Sequence, residues 1–193
     1  TGFLGSRAVP MLAKSGFEVI TITRTASSRD LPNGISRVVE WSGDVRQLCD
    51  VVWDLAPQAC LHLATQFVGT HKAEDIDSLI ESNLRFSTHV AEACSAVSNM
   101  AFINIETIWQ HVESAEYAPK SLYAATKQAF VDILRYYSDV AGMRVFNLTM
   151  TDTYGIGDTR PKLWNALIKA AKSGEPLEMN EGEALIGPIF ETD

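Results

Sequence analysis

Tyr123 and Lys127 are the two residues whose types and spacing most clearly could do chemistry. They lie four residues apart in the stretch LYAATKQAF, Leu122 to Phe130, which has the pattern of a helix. Because an α-helix advances about 3.6 residues per turn, such positions lie one above the other and could act on one substrate. A nearby cation favours the ionised form of a phenol, and the Lys127 ammonium could be that cation. The spacing permits acid–base chemistry by Tyr123. A tyrosine in the core and a lysine in solvent could have the same spacing without any catalytic role.

A second candidate site is the glycine turn TGFLG at the start of the chain, which runs directly into an amphipathic helix with Val9, Leu12 and Met11 on its inner face. In dinucleotide-binding turns, glycines let the backbone approach a pyrophosphate and the helix N-terminus supplies amide donors. The cofactor-binding residues predicted from this turn are Gly2, Phe3, Leu4 and Gly5. A tight turn that only caps a helix is the alternative.

The residues after the next predicted strand indicate which dinucleotide would bind. About 20 residues past the glycines, such folds place an acid that meets a free ribose 2′-hydroxyl or an arginine that meets a 2′-phosphate. Here that position holds Thr23 and Arg24, followed by Ser27 and Ser28. Arg24 therefore favours NADP over NAD, and a solvated strand end is the alternative.

Three further polar residues have a structural and a functional interpretation. Asp44 follows a strand and is expected to cap a helix, a role compatible with facing an adenine. His62 lies in an apolar strand, where a lone histidine is more often a core residue than an acid or base. Asn83 is a polar residue near the start of a predicted helix and could simply be exposed.

The elements that must position these residues alternate along the chain. Strands are predicted near residues 17–24, 37–41, 59–64, 100–106 and 143–150, with helices at 45–55, 75–97 and 121–142 between them. This alternation predicts an α/β fold with a doubly wound, Rossmann-like parallel sheet, whose ligand lies along one edge. We expect residues 1–150 to form a NAD(P)-binding Rossmann domain lacking its first strand. Residues 151–193 are rich in turn-forming residues and show little strand alternation, and they are expected to begin a small, truncated C-terminal substrate lobe.

Composition limits the classes of partner. The chain has 193 residues, 46% hydrophobic and 21% charged, enough for one globular domain and part of a second. A net charge of −8 argues against nucleic acid as a partner. The three widely spaced cysteines show no metal-site or disulfide pattern and predict buried thiols in a reducing, cytoplasmic setting. No apolar run approaches the length of a membrane span, and no metal site is expected.

These motifs together resemble the extended short-chain dehydrogenase/reductase family, in its NAD(P)-dependent epimerase/dehydratase branch that acts on nucleotide sugars. TGFLGS is similar to the second half of the family's TGxxGxxG loop, GDVRQL to its adenine-contacting segment, and LHLAT to its HLAA strand. The stretch INIETIWQHVESAEYAPKSLYAATKQAF resembles the sub-branch that handles CDP-linked dideoxysugars and related 4-keto sugars.

The resemblance implies a role for each matching residue. Thr107, Tyr123 and Lys127 would be the catalytic residues, with Asn83 orienting the lysine and the cofactor region. The same resemblance implies further cofactor contacts from Asp44, Val45, Leu63, Ala64, Thr65, Tyr123 and Lys127. It also implies substrate contacts from Thr107, Trp109, Gln110 and Asp152.

Four positions depart from the family pattern. Asp152 stands where many members carry Asn, Thr149 where many carry Arg, and Glu106 where a small residue is usual. Ile108 and Trp109 replace the Asp-Glu of 4,6-dehydratases, so the acid and base of that elimination are absent.

The expected function is therefore hydride transfer at C4 of a nucleotide sugar, either 4-keto reduction or 4-epimerisation, with Arg24 favouring an NADP-dependent reductase. A non-catalytic dinucleotide-binding sensor or structural protein is the alternative, supported by Glu106, Thr149 and Asp152. A homodimer through the helix carrying Tyr123 is a further expectation from the family, although a core-facing stripe would explain its apolar residues equally well.

Overall fold

A computed structural model describes residues 2–23, 31–112, 116–160, 162–179 and 186–192. Arg24, Ser27 and Ser28, on which the NADP prediction rests, lie outside the described residues. The chain divides into two compact units, Thr1–Met150 and Thr151–Asp193.

The first unit alternates helices and strands, as the sequence pattern predicts. Its helices are α1 Phe3–Lys14, α2 Val45–Leu55, α3 Ile76–Ile80, α4 Ser87–Ser95 and α5 Leu122–Asp139. Its strands are β1 Val19–Thr23, β2 Ile35–Glu40, β3 Ala59–His62, β4 Ala101–Thr107 and β5 Arg144–Met150. A π-helical segment, Glu81–Phe86, joins α3 to α4, so the helix predicted over 75–97 contains a wide turn in its middle.

The strands of the first unit pair in parallel, and within the described residues they form two hydrogen-bonded groups rather than one continuous sheet. β1 pairs with β2, and β3, β4 and β5 pair in that order. In Rossmann sheets the first strand lies between the second and the fourth. If β1 and β3 correspond to the second and fourth strands, the described residues place no strand between them.

The core lies between the β3-β4-β5 group and the helices α4 and α5. Phe102 of β4, Phe130 and Leu134 of α5, and Ala91 of α4 are fully buried. Each large apolar side chain buried in this way contributes roughly 1.5–3 kcal/mol of transfer free energy. Phe130 packs edge-on against Phe102, with ring centroids 6.2 Å apart, and so fixes α5 against β4.

Helix α1 is held close to the turn that precedes β2. Gly34 has φ +98°, and a Cβ at this position would lie 2.6 Å from the Cβ of Ala13. Only glycine fits this backbone and this approach. Val9 of α1 is buried as predicted, but Met11 is 54% exposed, so its assignment to the inner face was wrong.

Helix α5 begins with a side-chain cap and ends earlier than predicted. The Ser121 hydroxyl accepts a hydrogen bond from the backbone N–H of Ala124. The helix ends at Asp139, three residues before the predicted stop at Gly142, which adopts φ +69° in the following turn.

The second unit contains a short parallel pair, β6 Thr153–Tyr154 with β7 Ile189–Phe190, and the helix α6 Leu163–Ser173. Tyr154 contacts both Trp164 and Phe190 through their rings. Within the described residues of the chain, no helix is long and apolar enough to cross a bilayer.

Candidate active site

Tyr123 and Lys127 both lie on the buried face of α5. Tyr123 is 9% exposed and Lys127 is 4% exposed, and the same face continues into the core through Phe130 and Leu134. A lysine is almost never buried to this extent without a function or a partner. The interpretation of Lys127 as a solvated surface residue is therefore wrong.

Burial sets the protonation of this pair. Burial raises the pKa of Tyr123, and a hydrogen bond with the Thr65 side chain acts in the opposite direction. Burial also lowers the pKa of Lys127 to about 8, and the negative charge of Glu106 opposes that shift. The net pKa shift of Tyr123 is upward, whereas the sequence argument expected the lysine to favour a phenolate. At neutral pH Tyr123 is a protonated phenol in this structure.

Asn83 ties α5 to the loop that follows β3. Its Oδ1 accepts from the Gln66 N–H at 2.7 Å and from the Thr65 hydroxyl at 3.2 Å. Its Nδ2 donates to the Gln66 carbonyl at 3.0 Å and to the Thr126 hydroxyl at 2.9 Å. Thr126 in turn donates to the Tyr123 carbonyl at 2.7 Å. Asn83 is 2% exposed, so the interpretation of Asn83 as an exposed residue was wrong.

The position of Asn83 depends on the π-helical segment that contains it. Such segments widen one helical turn and occur frequently at functional sites. Here the segment places the side-chain amide of Asn83, hydrogen-bonded at both Oδ1 and Nδ2, between the loop after β3 and helix α5. The direct link runs to the turn of α5 between Tyr123 and Lys127 rather than to the lysine itself, and the orienting role of Asn83 stays a prediction.

Thr107 ends β4 and caps the short 3-10 turn Ile108–Gln110. Its hydroxyl accepts from the Trp109 N–H at 3.3 Å, which leaves the hydroxyl proton available to another acceptor. Gln110 Oε1 accepts from the Thr107 N–H at 3.0 Å, and Gln110 Nε2 donates to Gln128 of α5 at 2.9 Å. The turn that carries Thr107 is therefore fastened to the helix that carries Tyr123.

The Gln110 side chain has an internal position instead of the predicted substrate contact. It is 1% exposed, and both ends of its amide are bonded within the protein. We therefore assign Gln110 to positioning the turn.

Phe67 is a site residue that sequence reasoning missed. Its ring lies 5.0 Å from the Tyr123 ring, edge to face, and 5.4 Å from the Trp109 ring, measured between centroids. Phe67 thus joins the loop after β3 to the predicted substrate residue Trp109. The sequence feature that could have identified Phe67 was its position five residues after His62. That position lies beyond the carboxyl end of a strand, where ligands bind in such sheets.

Two charged or titratable residues lie near Lys127. Glu106 occupies the carboxyl end of β4, where its Oε2 accepts a 3.0 Å hydrogen bond from the Thr149 hydroxyl. His62 is 3% exposed and packs its ring against Phe102 and Phe130. Burial, followed by the charge of Lys127, lowers the pKa of His62 to about 3. His62 is therefore a neutral core residue, in agreement with the sequence interpretation.

The residues predicted to hold a dinucleotide occupy places that fit one. Gly2 is the N-cap of α1, where an added Cβ would meet nothing within 4 Å, and Phe3, Leu4 and Gly5 form the first helical turn. That first turn contains no acidic residue of its own. Leu63, Ala64 and Thr65 directly follow β3, on the edge expected for a ligand.

Asp44 adopts the capping role that the sequence predicted. Its Oδ1 accepts from the Arg46 N–H at 2.9 Å at the start of α2, and Val45 is the first residue of that helix. Any contact between Asp44 and an adenine stays a prediction.

Asp152 belongs to the second unit, where its carboxylate lies 3.8 Å from the Lys162 ammonium. Lys162 also donates to the Thr153 carbonyl. The predicted substrate contact of Asp152 stays a prediction. Among the described residues, no cluster of three or more His, Cys, Asp or Glu side chains could hold a metal ion.

Comparison with known proteins decides the family. The model of the NAD dependent epimerase/dehydratase family matches residues 1–186. The chain belongs to this family. The resemblance inferred from the TGFLG turn and the Tyr123–Lys127 pair is thereby confirmed.

Curated members of the epimerase/dehydratase family align along nearly the whole chain. A CDP-abequose synthase from Yersinia pseudotuberculosis is 27% identical over 100% of this chain and 67% of its own length. A CDP-abequose synthase from Salmonella muenchen is 24% identical over 92% of this chain and 59% of its own length. UDP-glucuronate 4-epimerase 1 of Arabidopsis thaliana is 24% identical over 95% of this chain and 48% of its own length. The chain thus spans about half to two thirds of these relatives.

Solved structures confirm the Rossmann-type α/β fold. UDP-glucuronic acid 4-epimerase from Bacillus cereus, solved with UDP-glucuronic acid and NAD, superposes with a TM-score of 0.81 at 21% identity. It covers 99% of this chain, which spans 67% of that protein. UDP-glucose 4-epimerase from Thermus thermophilus, solved with NAD, gives a TM-score of 0.78 at 23% identity, covering 98% of this chain and 68% of its own.

Proposed function

We propose that the protein containing this chain is a NAD(P)-dependent nucleotide-sugar oxidoreductase or epimerase that moves a hydride at the sugar C4. We further propose net reduction of a 4-keto sugar as its reaction. The observation that carries the proposal is the buried pair of Tyr123 and Lys127 on one face of α5, with Lys127 close to His62 at the end of β3 and to Glu106 near the end of β4.

The protonation of Tyr123 suits reduction. When a carbonyl carbon accepts hydride, its oxygen must receive a proton. A phenol whose pKa is raised by burial is protonated at neutral pH and can donate to that oxygen. The Thr107 hydroxyl, whose oxygen already accepts from Trp109, retains a proton with which to hold the same oxygen. Lys127 would then stabilise the phenolate that remains.

The cofactor, when bound, supplies the hydride. The chain's own residues would hold it through the N-terminus of α1 at Gly2–Gly5, through Asp44 and Val45, and through the Leu63–Thr65 segment. The choice of NADP rests on Arg24 alone, whereas solved relatives carry NAD. Titration of the full-length protein with NADPH and NADH tests this choice, and tighter NADH binding would contradict the role given to Arg24.

The curated relatives support nucleotide-sugar chemistry without deciding its direction. CDP-abequose synthases and a UDP-glucuronate 4-epimerase both align with the chain. An epimerase would use the same Thr107, Tyr123 and Lys127, since it oxidises C4 and then returns the hydride to the other face. The preference for the reductase rests on the predicted role of Arg24, because NADP(H) suits net reduction, and turnover measurements separate the two reactions.

The test uses the full-length protein with CDP-, UDP-, GDP- and dTDP-linked sugars, each as the 4-keto and the 4-hydroxy form. Oxidation of NADPH or NADH by a 4-keto form supports the reductase, and interconversion of 4-hydroxy epimers without net cofactor consumption supports the epimerase. Cofactor binding with no turnover of any sugar would instead indicate the non-catalytic dinucleotide-binding alternative.

Dimerisation through α5 stays a separate prediction. The apolar residues Phe130, Leu134 and Tyr137 are buried within the unit, so the core-facing stripe accounts for them. Tyr136 at 58% exposure and Val140 at 70% remain on the outer surface. Sedimentation of wild-type protein and of a Tyr136→Glu variant would test whether that surface joins two copies.

A further inference from the structure

The Thr65 hydroxyl lies between the side-chain amide of Asn83 and the phenol of Tyr123. It donates to the Asn83 Oδ1 at 3.2 Å, and it also forms a hydrogen bond with the Tyr123 side chain. A hydroxyl carries a single proton, so it can donate to only one of these two oxygens at a time. The Thr65 proton therefore has two alternative acceptors, and one of them is the oxygen of the candidate acid.

The bond from Thr65 to Asn83 is long for a hydroxyl donor. Hydrogen bonds from a hydroxyl to an oxygen usually span about 2.5–3.0 Å, whereas this one spans 3.2 Å. The same Asn83 Oδ1 accepts a shorter bond, of 2.7 Å, from the Gln66 N–H. If the Thr65 proton turned away, the buried Asn83 oxygen would keep this partner, so the change would cost little.

The loop that carries Thr65 is held against Tyr123 by other contacts. The Asn83 Nδ2 donates at 3.0 Å to the backbone carbonyl of the next loop residue and at 2.9 Å to the Thr126 hydroxyl of α5. Two residues beyond Thr65, the Phe67 ring meets the Tyr123 ring edge to face, with centroids 5.0 Å apart. These contacts hold the Thr65 hydroxyl beside the phenol without occupying its proton.

Reduction of a carbonyl would change which of the two acceptors is the better one. When the carbonyl carbon accepts hydride, the Tyr123 O–H bond breaks, its proton passes to the substrate oxygen, and a phenolate remains. A hydrogen bond to a charged oxygen is about twice as strong as one between neutral groups. The phenolate would thus attract the Thr65 proton more strongly than the neutral amide oxygen of Asn83 does.

We propose that Thr65 is a positioning residue for Tyr123, whose hydroxyl turns from Asn83 to the phenol oxygen as the phenolate forms. This inference rests on the proposed function, because proton donation by Tyr123 creates the charge. It gives Thr65 a role beyond the cofactor contact that the family resemblance implies. A hydrogen bond that strengthens in the transition state raises kcat, whereas one that is equally strong throughout lowers KM.

A cofactor contact alone makes a different prediction for Thr65. In that case, loss of the hydroxyl would weaken dinucleotide binding and leave the ionisation of Tyr123 unchanged. A positioning role instead changes the pH at which the phenol ionises. The other titratable groups around the Tyr123–Lys127 pair are Glu106 on β4 and His62 on β3, and the variants below retain both of them and Lys127.

The experiment uses full-length wild-type, Thr65→Val, Thr65→Ser and Thr88→Val proteins. Valine has the shape of threonine without its hydroxyl, whereas serine keeps the hydroxyl. Thr65 is exposed, so both of its variants should fold. Thr88→Val makes the same change on α4, outside the site, and serves as the control.

Two properties of each protein are measured independently. In one preparation a ring-fluorinated tyrosine, whose phenol ionises at lower pH than that of tyrosine, replaces Tyr123, and fluorine NMR follows its ionisation. In unlabelled protein, kcat and KM are measured with the 4-keto nucleotide sugars, and dissociation constants are measured for NADPH and NADH. The NMR readout requires no turnover, so it remains informative whatever the reaction is.

Thr65→Val should lower kcat about tenfold to a hundredfold with little change in KM, because the phenolate loses one donor. Its fluorinated phenol should ionise about one pH unit higher than in wild type, since the ionised form has lost a hydrogen bond. Thr65→Ser should recover most of both effects, and Thr88→Val should behave as wild type.

Three results would overturn the inference: an unchanged ionisation in Thr65→Val, an equal shift in Thr65→Ser, or an effect confined to the cofactor dissociation constants. A shifted ionisation without turnover of any sugar would support the bond from Thr65 to the phenolate and reject the proposed reaction. Turnover with an ionisation that no variant changes would support the proposed reaction and reject the role of Thr65.

Discussion

Glu106 and Thr149 are joined across neighbouring strands by a 3.0 Å hydrogen bond from the threonine hydroxyl to Oε2 of the glutamate. They are register partners at the carboxyl ends of β4 and β5. In the sequence they were two unrelated departures from the family pattern. The structure shows them as one pair. It holds the Glu106 carboxylate close enough to Lys127 to oppose part of the fall in the lysine pKa that burial causes.

Replacing Glu106 with glutamine should change the pH dependence of activity. Lys127 is charged below its pKa of about 8 and neutral above it, and Glu106 favours the charged form. In Glu106→Gln that support is lost, so the alkaline limb of the kcat/KM profile should move to lower pH by up to about one unit. The exposed Glu18→Gln serves as the control, and an alkaline limb at the wild-type position would refute the electrostatic link.

Replacing Tyr123 with phenylalanine should abolish turnover and leave cofactor binding nearly intact. The change removes only the hydroxyl, which general acid–base catalysis requires and which contributes about 10²–10⁴-fold in rate. Tyr136→Phe makes the same change on the exposed side of α5 and should behave as wild type. Normal turnover by Tyr123→Phe would remove Tyr123 from the mechanism.

Replacing Lys127 with methionine should stabilise the fold while abolishing activity. Burial lowers the Lys127 pKa from 10.5 to about 8, which corresponds to about 3 kcal/mol of cost to the folded state below pH 8. The unfolded chain binds more protons between these two pKa values. The wild-type free energy of unfolding should therefore rise from about pH 8 toward 10.5, and Lys127→Met should lack this rise.

Urea unfolding at several pH values measures that difference. Lys169→Met, on the helix α6 of the second unit, provides a control outside the site. If Lys127→Met were less stable than wild type at pH 7, burial of the charged lysine would not be the dominant cost.

Replacing Asn83 with alanine should destabilise the first unit by about 1–3 kcal/mol, because Thr126 and the Gln66 backbone would lose buried partners. The kcat should fall even under conditions in which the variant is fully folded, because the loop carrying Thr65 would no longer be fixed to α5. Asn33→Ala, in an exposed turn, is the control. Asn83→Ala with wild-type stability and kcat would contradict the bridging role.

The local pattern of the chain was sufficient to predict most elements of the first unit. Helix α2 was predicted at its observed bounds, and β4 and β5 within one residue, because hydrophobic periodicity and flanking turns are local properties. The predicted end of helix α5 lies three residues beyond the observed end at Asp139, because a glycine such as Gly142 marks the following turn but does not fix the last helical residue. The π-helical turn at Asn83 was not predicted, since it arises from bonds to residues 17 and 43 positions away.

The sequence by itself determined the family, the alternation of strands and helices, and the spacing that places Tyr123 and Lys127 one turn apart. Only the tertiary structure decided that both are buried, that Asn83 is bonded on both sides, and that Gln110 supports the turn after Thr107 internally. It also brought Phe67 beside Tyr123 and paired Glu106 with Thr149. The reason is physical: spacing along a helix is fixed by its geometry, whereas burial and contacts between distant residues depend on how separate elements pack.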